Sequence, residues 1–591
     1  MKIETLIKNR VLSYLSTAVQ SYIEEDKQSI QLDSLKIRIE YSRDEKFGDY
    51  SSPFAMENKN IFGKAPKDIA EGVIKQFANQ PFFSEISFSP PGFINFRIDP
   101  KILWSYAKES LVSKDYYAKV ENRKKINLEF VSANPTGPMN IVSARSAAYG
   151  DALGNLLSSL GHSVHKEFYV NDYGNQVNLL GVAVLLRYQE QKGIPLVFQE
   201  EDDGRNLFDL IELNVLPKES YRGEYIKEIA ITFGKVETNK AHLESLISAK
   251  DWQRAISLLS DYAVEYNLKQ QKEDLSLFGV QFDEFFRESS LHTSGEVNKV
   301  PERLKREDLS EEQGKLLFLS THYQDDKDRV IRREDGRPTY LMADIAYHLK
   351  KYERGFEELI DIWGPDHYGY IARLKGSMVS AGKTPDSFNV LIAQQVNLIE
   401  NKEKVKMSKR LGIFQTMRDL LSYLGKSASD VGRYFFLMRS ADAPLDFDLD
   451  LAKDESDKNP VFYIQYAHAR ISSIFRELGE ASLLDVPVDF NTWGKQEDRI
   501  RLLFWVSRFS EEVYDSALTR EPHRLTNYLQ SLSKSFTRFY GQKENRIKEK
   551  TGEERESLLL LCKMVQNVLK EGLTILGISA PDQMSKSEPN V

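Results

Sequence analysis

The chain has 591 residues, 41% of them hydrophobic and 28% charged, which is an ordinary soluble composition too long for one core, since domains hold roughly 100–200 residues. Its formal net charge of −8 does not exclude contact with nucleic acid, because phosphate binding needs a local basic face rather than a positive total. A single cysteine, Cys562, excludes an intramolecular disulfide framework and any cysteine-cluster zinc site.

Residues 1 to about 110 read as a small α+β unit. The N-terminus has acidic residues and no small-residue cleavage site after an apolar core, so no signal peptide is expected. An amphipathic helix over 6–23 precedes a strand at 36–41, where apolar and polar residues alternate. A loop at 46–52 and a helix over 66–77 follow, then strands at 86–88 and 93–98 divided by the turn Pro90-Pro91-Gly92. The charged stretch Glu121-Asn-Arg-Lys-Lys125 marks a boundary.

From Ile126 strands and helices alternate: strand 126–131, helix 145–160 ending at Gly161, strand 166–170 and a helix after Asn175. Farther on come a strand at 359–363, a helix after Asp366, and one or two short strands over 390–399. Such alternation implies a parallel sheet with crossover helices. The charged segment 199–337 reads as a mostly helical insertion with little function visible in it. His162 and His165, the closest histidine pair, flank a strand start and read as structural or solvated; no metal site is expected. Apolar runs such as 179–186 fall short of the ~18 residues of a membrane span, so a cytoplasmic protein without membrane association is expected. After Asp454 the strands stop, and 459–478, 497–518, 523–542 and 554–576 show helical periodicity. The expected parts are therefore 1–115, 116–454 and 455–591: an α+β module, a multidomain chain's Rossmann-like parallel-sheet α/β domain, and an all-α helical bundle.

Two segments carry chemistry. Glu129-Phe-Val-Ser-Ala-Asn134-Pro-Thr-Gly-Pro-Met-Asn140-Ile-Val-Ser143-Ala-Arg145 closes a strand and opens a helix. A nucleotide sits well there, because backbone N–H groups and the helix dipole face its phosphates. The second is Lys406-Met407-Ser408-Lys409-Arg410. Lys409 is a flexible point charge able to meet a polyphosphate in its transition state, Lys406 can assist, and the Ser408 hydroxyl can hold a turn. Taken singly, the first is also compatible with a plain strand–helix connection and the second with a solvated charge run.

In this order the two resemble the signatures of class I aminoacyl-tRNA synthetases, and the whole chain resembles the arginyl-tRNA synthetase family. Further segments carry that likeness: Tyr169-Val-Asn-Asp-Tyr-Gly-Asn-Gln176, Tyr340-Leu-Met-Ala-Asp-Ile-Ala-Tyr347, Trp363-Gly-Pro-Asp-His-Tyr-Gly369, Pro444-Leu-Asp-Phe-Asp-Leu-Asp-Leu451 and Leu576-Gly-Ile-Ser-Ala-Pro581. The resemblance implies ATP-dependent charging of tRNA with arginine, Mg²⁺ accompanying ATP, and a requirement for tRNA during activation. The enzyme is expected to be a monomer. It implies arginine contacts from Glu129, Asn134, Tyr340 and Asp344, the last two four apart on one helical face. It implies an ATP site from Pro135, Thr136, Gly137, Pro138, Met139, Asn140, Ile141, Val142, Ser143, Asp366, His367 and Met407. Lys406, Ser408, Lys409, Asn140 and Ser143 would serve the reaction itself.

The first signature departs from the family's His-Val-Gly-His form. Asn140 and Ser143 keep hydrogen-bonding groups at the two histidine positions but carry no positive charge, and Val142 places a branched side chain where the family's glycine faces adenine. Removing one transition-state donor can cost around 10²–10³ in rate. The basic and aromatic residues of the C-terminal bundle, among them Tyr463, Tyr466, Arg470, Arg538, Phe539 and Tyr540, suit an anticodon platform or a helical core, with core favoured for any one of them. Two other readings are a cysteinyl enzyme, whose cysteine-ligated zinc one cysteine cannot supply, and a catalytically impaired paralogue that binds RNA or a protein partner.

Overall fold

The computed structural model describes residues 2–42, 44–77, 80–113, 116–201, 204–405, 416–480, 486–493 and 495–584. The chain forms two compact units. One comprises Lys124–Gly154 and Ser163–Asp450, the other Met1–Arg123, Asn155–His162 and Leu451–Val591.

The first unit is built on five strands: β1 (Lys125–Glu129), β2 (Ser163–Val170), β3 (Glu284–Arg287), β4 (Glu358–Trp363) and β5 (Phe388–Ile392). All pair in parallel, in the spatial order β5-β4-β1-β2-β3. Chain order reverses between β1 and β4, and the crevice at such a switch point, at the strands' carboxyl ends, is where open α/β sheets bind ligands. The strands form because short apolar runs can be covered on both faces; Leu359 and Ile360 are fully buried. On one face lies α1 (Ile141–Ser159), held close by glycine, since a Cβ on Gly150 would come 2.2 Å from the Phe130 ring.

The other face carries an unusual charge pattern. Register pairs Asp361 with Glu129, Glu129 with Glu167 and Glu167 with Glu284, so four adjacent strands present four carboxylates in one lateral row. The helix Tyr340–Glu353 lies over this row and supplies its counter-charges.

The segment 199–337, expected to be a mostly helical insertion, also carries strands. It holds helices, including Glu224–Gly234 and Trp252–Leu277, but β3 belongs to the main sheet, and Leu309–Glu312, Lys315–Phe318 and Arg329–Arg332 form a separate antiparallel sheet. A four-residue strand whose register is set by distant residues leaves almost no periodic signal. The region 390–399 resolves into two strands of different sheets, because Val396–Glu400 pairs in parallel with Leu445–Asp448 rather than continuing β5.

In the second unit the antiparallel sheet runs Glu40–Tyr41, Tyr50–Ser52, Phe93–Ile98, Phe83–Ser89, packed with helices that include Ile7–Glu25 and Pro66–Lys75. The C-terminal part is helical: Pro460–Leu478, Glu497–Ser507, Phe509–Leu518, Pro522–Gly541 and Gly552–Ile575. The single helix expected over 497–518 divides at Arg508, whose guanidinium lies 3.7 Å from the Tyr41 ring centroid and pairs with Glu512 at 2.7 Å. Among the described residues no helix is long and apolar enough to cross a membrane.

The α+β module meets the helices through buried Glu511, which accepts hydrogen bonds from the Lys8 backbone N–H at 2.8 Å and the Tyr50 hydroxyl at 2.9 Å. Burial pushes its carboxyl up from 4.5 to about 7. The folded state then binds more protons than the unfolded state between those values, so this group favours folding less as pH rises through that window. Glu511→Gln keeps an acceptor for the Lys8 N–H and removes the titration. We expect it to raise the thermal unfolding midpoint at pH 7–8, by about 1–3 kcal/mol in stability, with the gain vanishing toward pH 4; thermal melts across pH check this.

Candidate functional site

At the carboxyl end of β1 the chain turns through two successive non-glycine residues in the left-handed region, Val131 (φ 69°) and Ser132 (φ 41°). Such conformations cost about 1–3 kcal/mol each and persist only where neighbours over-determine them. Here the Val131 N–H donates to Ser146 Oγ at 3.0 Å, and the Ser132 hydroxyl donates to Glu129 Oε1 at 2.9 Å while accepting the Tyr169 N–H at 3.1 Å. The turn therefore locks Glu129 to the end of β2.

The loop that follows is gripped by the inserted helices. Gln271 donates to the carbonyls of Asn134 (3.1 Å) and Gly137 (2.9 Å), Asn267 to that of Pro135 (3.0 Å), and the Tyr225 hydroxyl to that of Thr136 (2.8 Å). A Cβ on Gly137 would stand 3.1 Å from the Tyr225 oxygen. Asn140 then caps α1: its Oδ1 accepts from the Ser143 N–H at 2.9 Å and the Ser143 hydroxyl at 3.1 Å. The two polar residues at the altered first signature thus serve each other, with Ile141 and Val142 forming the first turn between them. Asn140 also bridges Thr416, and the Met417 N–H donates to the Met139 carbonyl at 2.8 Å. Lys406, Met407, Ser408 and Lys409 lie outside the described residues.

A cavity of about 480 Å³ opens at the β1/β4 switch point. Its lining includes all four residues expected to face arginine, Glu129, Asn134, Tyr340 and Asp344, and also His367 from the turn after β4. Asp366 stands next to His367 but is not part of the lining, and neither are Pro135, Thr136, Gly137, Pro138, Met139 or the Asn140–Ser143 segment. Sequence reasoning missed several wall residues, among them Glu288, Tyr169, His348, Trp363 and Tyr370. Glu288 follows β3 directly, so only the recognition of that short strand could have pointed to it.

The cavity is acidic. Asp344 accepts from the Tyr370 hydroxyl at 2.8 Å, and burial lifts its carboxyl from 3.8 to about 6, with Glu288 and Glu129 adding repulsion. Burial likewise raises Glu288 from 4.5 to about 7. Two carboxyls lifted by burial thus face one space, although Asp344 is bonded by Tyr370 and Glu288 lies 3.4 Å from His292 Nε2.

Glu129 is treated differently. Lys351, wholly buried, donates from Nζ to Glu129 Oε2 at 2.6 Å and to Asp361 Oδ1 at 3.0 Å. His348 adds a 2.7 Å contact from Nε2 to Asp361 Oδ2, and its Nδ1 lies 2.7 Å from the Asp344 carbonyl. Asp361 is held low against burial by Lys351 and His348; Glu129 is raised by burial because it receives only a share of one ammonium. Farther along the row Arg354 bonds Glu167 and Glu284, each at 2.6 Å, and the Tyr347 hydroxyl donates to Glu167 at 2.6 Å. Two groupings here have spacing suited to a metal ion, Glu129–His348–Asp361 and His165–Glu167–Glu284. Lys351 and Arg354 already place cations among these carboxylates, so neither grouping fits a metal.

The parallel sheet with its switch-point cavity is the architecture of a class I aminoacyl-tRNA synthetase. The catalytic-domain model described as tRNA synthetases class I (R) matches residues 107–431, the Arginyl tRNA synthetase N terminal domain matches 6–98, and the DALR anticodon binding domain matches 464–584. The chain is 66% identical to the arginine–tRNA ligase of Leptospira biflexa over 591 residues, covering 100% of this chain and 99% of that one. It is 51% identical to that of Leptospira interrogans over 588 residues, covering 99% and 100%. The Thermus thermophilus arginyl-tRNA synthetase shares the fold with a TM-score of 0.71 at 20% identity, covering 96% of this chain and 99% of that chain. The chain belongs to the arginyl-tRNA synthetase family.

The capping geometry gives a direct expectation. Asn140→Ala removes the acceptor for the first turn of α1 and should lower stability by about 1 kcal/mol, whereas Asn140→Asp retains it; urea denaturation of the two variants separates them.

Proposed function

We infer that this enzyme ligates L-arginine to its tRNA through an arginyl-adenylate. The arginine carboxylate oxygen attacks the α-phosphorus of ATP in line, the bond to pyrophosphate breaks, and the terminal ribose hydroxyl of tRNA then takes the arginyl group as AMP leaves. No covalent enzyme intermediate is needed, so positioning and electrostatics carry the catalysis. Mg²⁺ arrives with ATP as its counter-ion. The enzyme acts as a cytoplasmic monomer, and its helical C-terminal region receives the tRNA anticodon.

The observation that carries this reading is the acidic cavity at the switch point. Arginine presents a planar guanidinium, which a carboxylate meets with two parallel hydrogen bonds. Asp344 and Glu288, both raised by burial, take the guanidinium between them, and Tyr340 closes the rim. Glu129 and Asn134, at the opposite end of the turn, orient the α-ammonium and carboxylate toward the ATP side. Lysine lacks the fork and leaves one of these acids unpaired. ATP lies along the loop 135–143, where Asn140 Nδ2 and the first-turn N–H groups of α1 meet the phosphates, with Asp366 and His367 flanking the nucleotide. Lys406 and Lys409 supply the positive charge that the histidine-free first signature lacks, with Met407 and Ser408 between them.

Arginine-dependent ATP–pyrophosphate exchange, with and without tRNA, tests the reading. Exchange with arginine in the presence of tRNA, and not with lysine, is expected; no exchange under either condition overturns it. Glu288→Gln and Asp344→Asn should each raise the KM for arginine by about 10- to 100-fold with little change in the KM for ATP. Because the bound cation requires both acids ionised, the wild-type KM for arginine should fall as pH rises from about 6 to 8.

A further inference from the structure

One face of the helix Tyr340–Glu353 carries Tyr340, Asp344, His348 and Lys351 at steps of four, four and three residues. The first three line the cavity, His348 while bonding Asp361; Lys351 lies beneath it, against the carboxylate row. Lys351 touches no part of the cavity lining's open space, yet its ammonium bonds the one lining carboxylate that stands on the sheet.

We propose that Lys351 is a positioning residue for arginine recognition, acting through Glu129: it keeps that carboxylate ionised and aimed along the cavity floor. The proposal rests on the reading of the cavity as the arginine site. Three observations support it. Glu129 and Asp361 stand side by side on paired strands, so without a cation between them one must take up a proton. The Lys351 ammonium is the group between them, at 2.6 and 3.0 Å. Glu129 is then fixed from both sides, Oε2 by Lys351 and Oε1 by the Ser132 hydroxyl, which leaves its remaining lone pairs pointing in defined directions.

The charged and titratable groups facing Glu129 make the sign of the effect clear. From the helix come Asp344, Tyr347, His348 and Lys351; from β4 comes Asp361; from β2 come Glu167 and Tyr169. Lys351 is the cation bonded to Glu129, and the neighbouring acids all oppose its ionisation. Removing Lys351 therefore favours the protonated acid, and only a higher pH restores the charge.

The test is steady-state pyrophosphate exchange by the full chain with tRNA, comparing wild type, Lys351→Met, Glu129→Gln and the double variant between pH 6 and 9. Lys351→Met should raise the KM for arginine at neutral pH by about 10-fold or more, leave the KM for ATP within about twofold, and recover as pH rises. Added to Glu129→Gln, it should change the arginine KM by less than about twofold, since the group it serves is gone. An unchanged arginine KM, an equal rise for ATP, a defect that does not vary with pH, or multiplicative effects in the double variant would each overturn the proposal. If Lys351→Met does not fold, Lys351→Met with Asp361→Asn removes one charge of each sign and carries the same measurement. Absence of arginine-dependent exchange in the wild type would instead overturn the reading of the site itself.

Discussion

The row of four carboxylates across β4, β1, β2 and β3, met by His348 and Lys351 from one helix and by Arg354 just past its end, is the constraint on which the catalytic unit depends. Charges buried this way cost several kcal/mol each unless they are paired with good geometry. The helix Tyr340–Glu353 can therefore seat in only one rotation and one register. A shift by a single residue would turn Lys351 away from Glu129 and Asp361 and leave both uncompensated. The same seating delivers Asp344 and Tyr340 to the cavity two and three turns from Lys351, so the geometry of the cavity follows from the neutralisation of the sheet.

A second constraint comes from the other side of β1. The left-handed pair Val131 and Ser132 turns the chain abruptly, and the loop beyond it is held by Tyr225, Asn267 and Gln271. The inserted helices thus grip the nucleotide-side loop at four backbone carbonyls and are part of the site's scaffold. The Asn140 cap and the Asn140–Thr416 bridge fix the start of α1 to the residues that follow the second signature. Polar groups that replace the family's histidines have a structural task here, which binds the altered signature to its own helix.

Much of this was legible beforehand. Alternating strands and helices implied the parallel sheet, and Tyr340 and Asp344 were placed on one helical face by their spacing alone. Glu129 and Asn134 were marked by the family resemblance of the strand-to-helix segment that contains them. What escaped was everything set by register between distant strands. Nothing local in Glu284-Phe-Phe-Arg287 marks it as the edge of the main sheet, so Glu288 stayed hidden inside a charged, helical stretch. Nothing local singles out Lys351, which stands in a charged run with Lys350, Glu353 and Arg354, or Asp361 within its expected strand, and only the packing of the helix on the paired strands β1 and β4 shows them to be buried partners. The capping role of Asn140 did have a local signal, an asparagine immediately before a helix, but the likeness to a catalytic signature drew the reading toward phosphate contact.

The proposed chemistry and the fold come together in an acidic cavity whose floor carboxylate Glu129 is bonded by Lys351 and whose far wall, Asp344 and Glu288, is proposed to receive the arginine guanidinium. A crystal structure of the enzyme with arginine bound tests that division most directly. The account predicts the guanidinium within hydrogen-bonding distance of both Asp344 and Glu288, with the α-ammonium toward Glu129 and Asn134. Arginine bound elsewhere, or lying in the cavity with its guanidinium turned away from both acids, would contradict it.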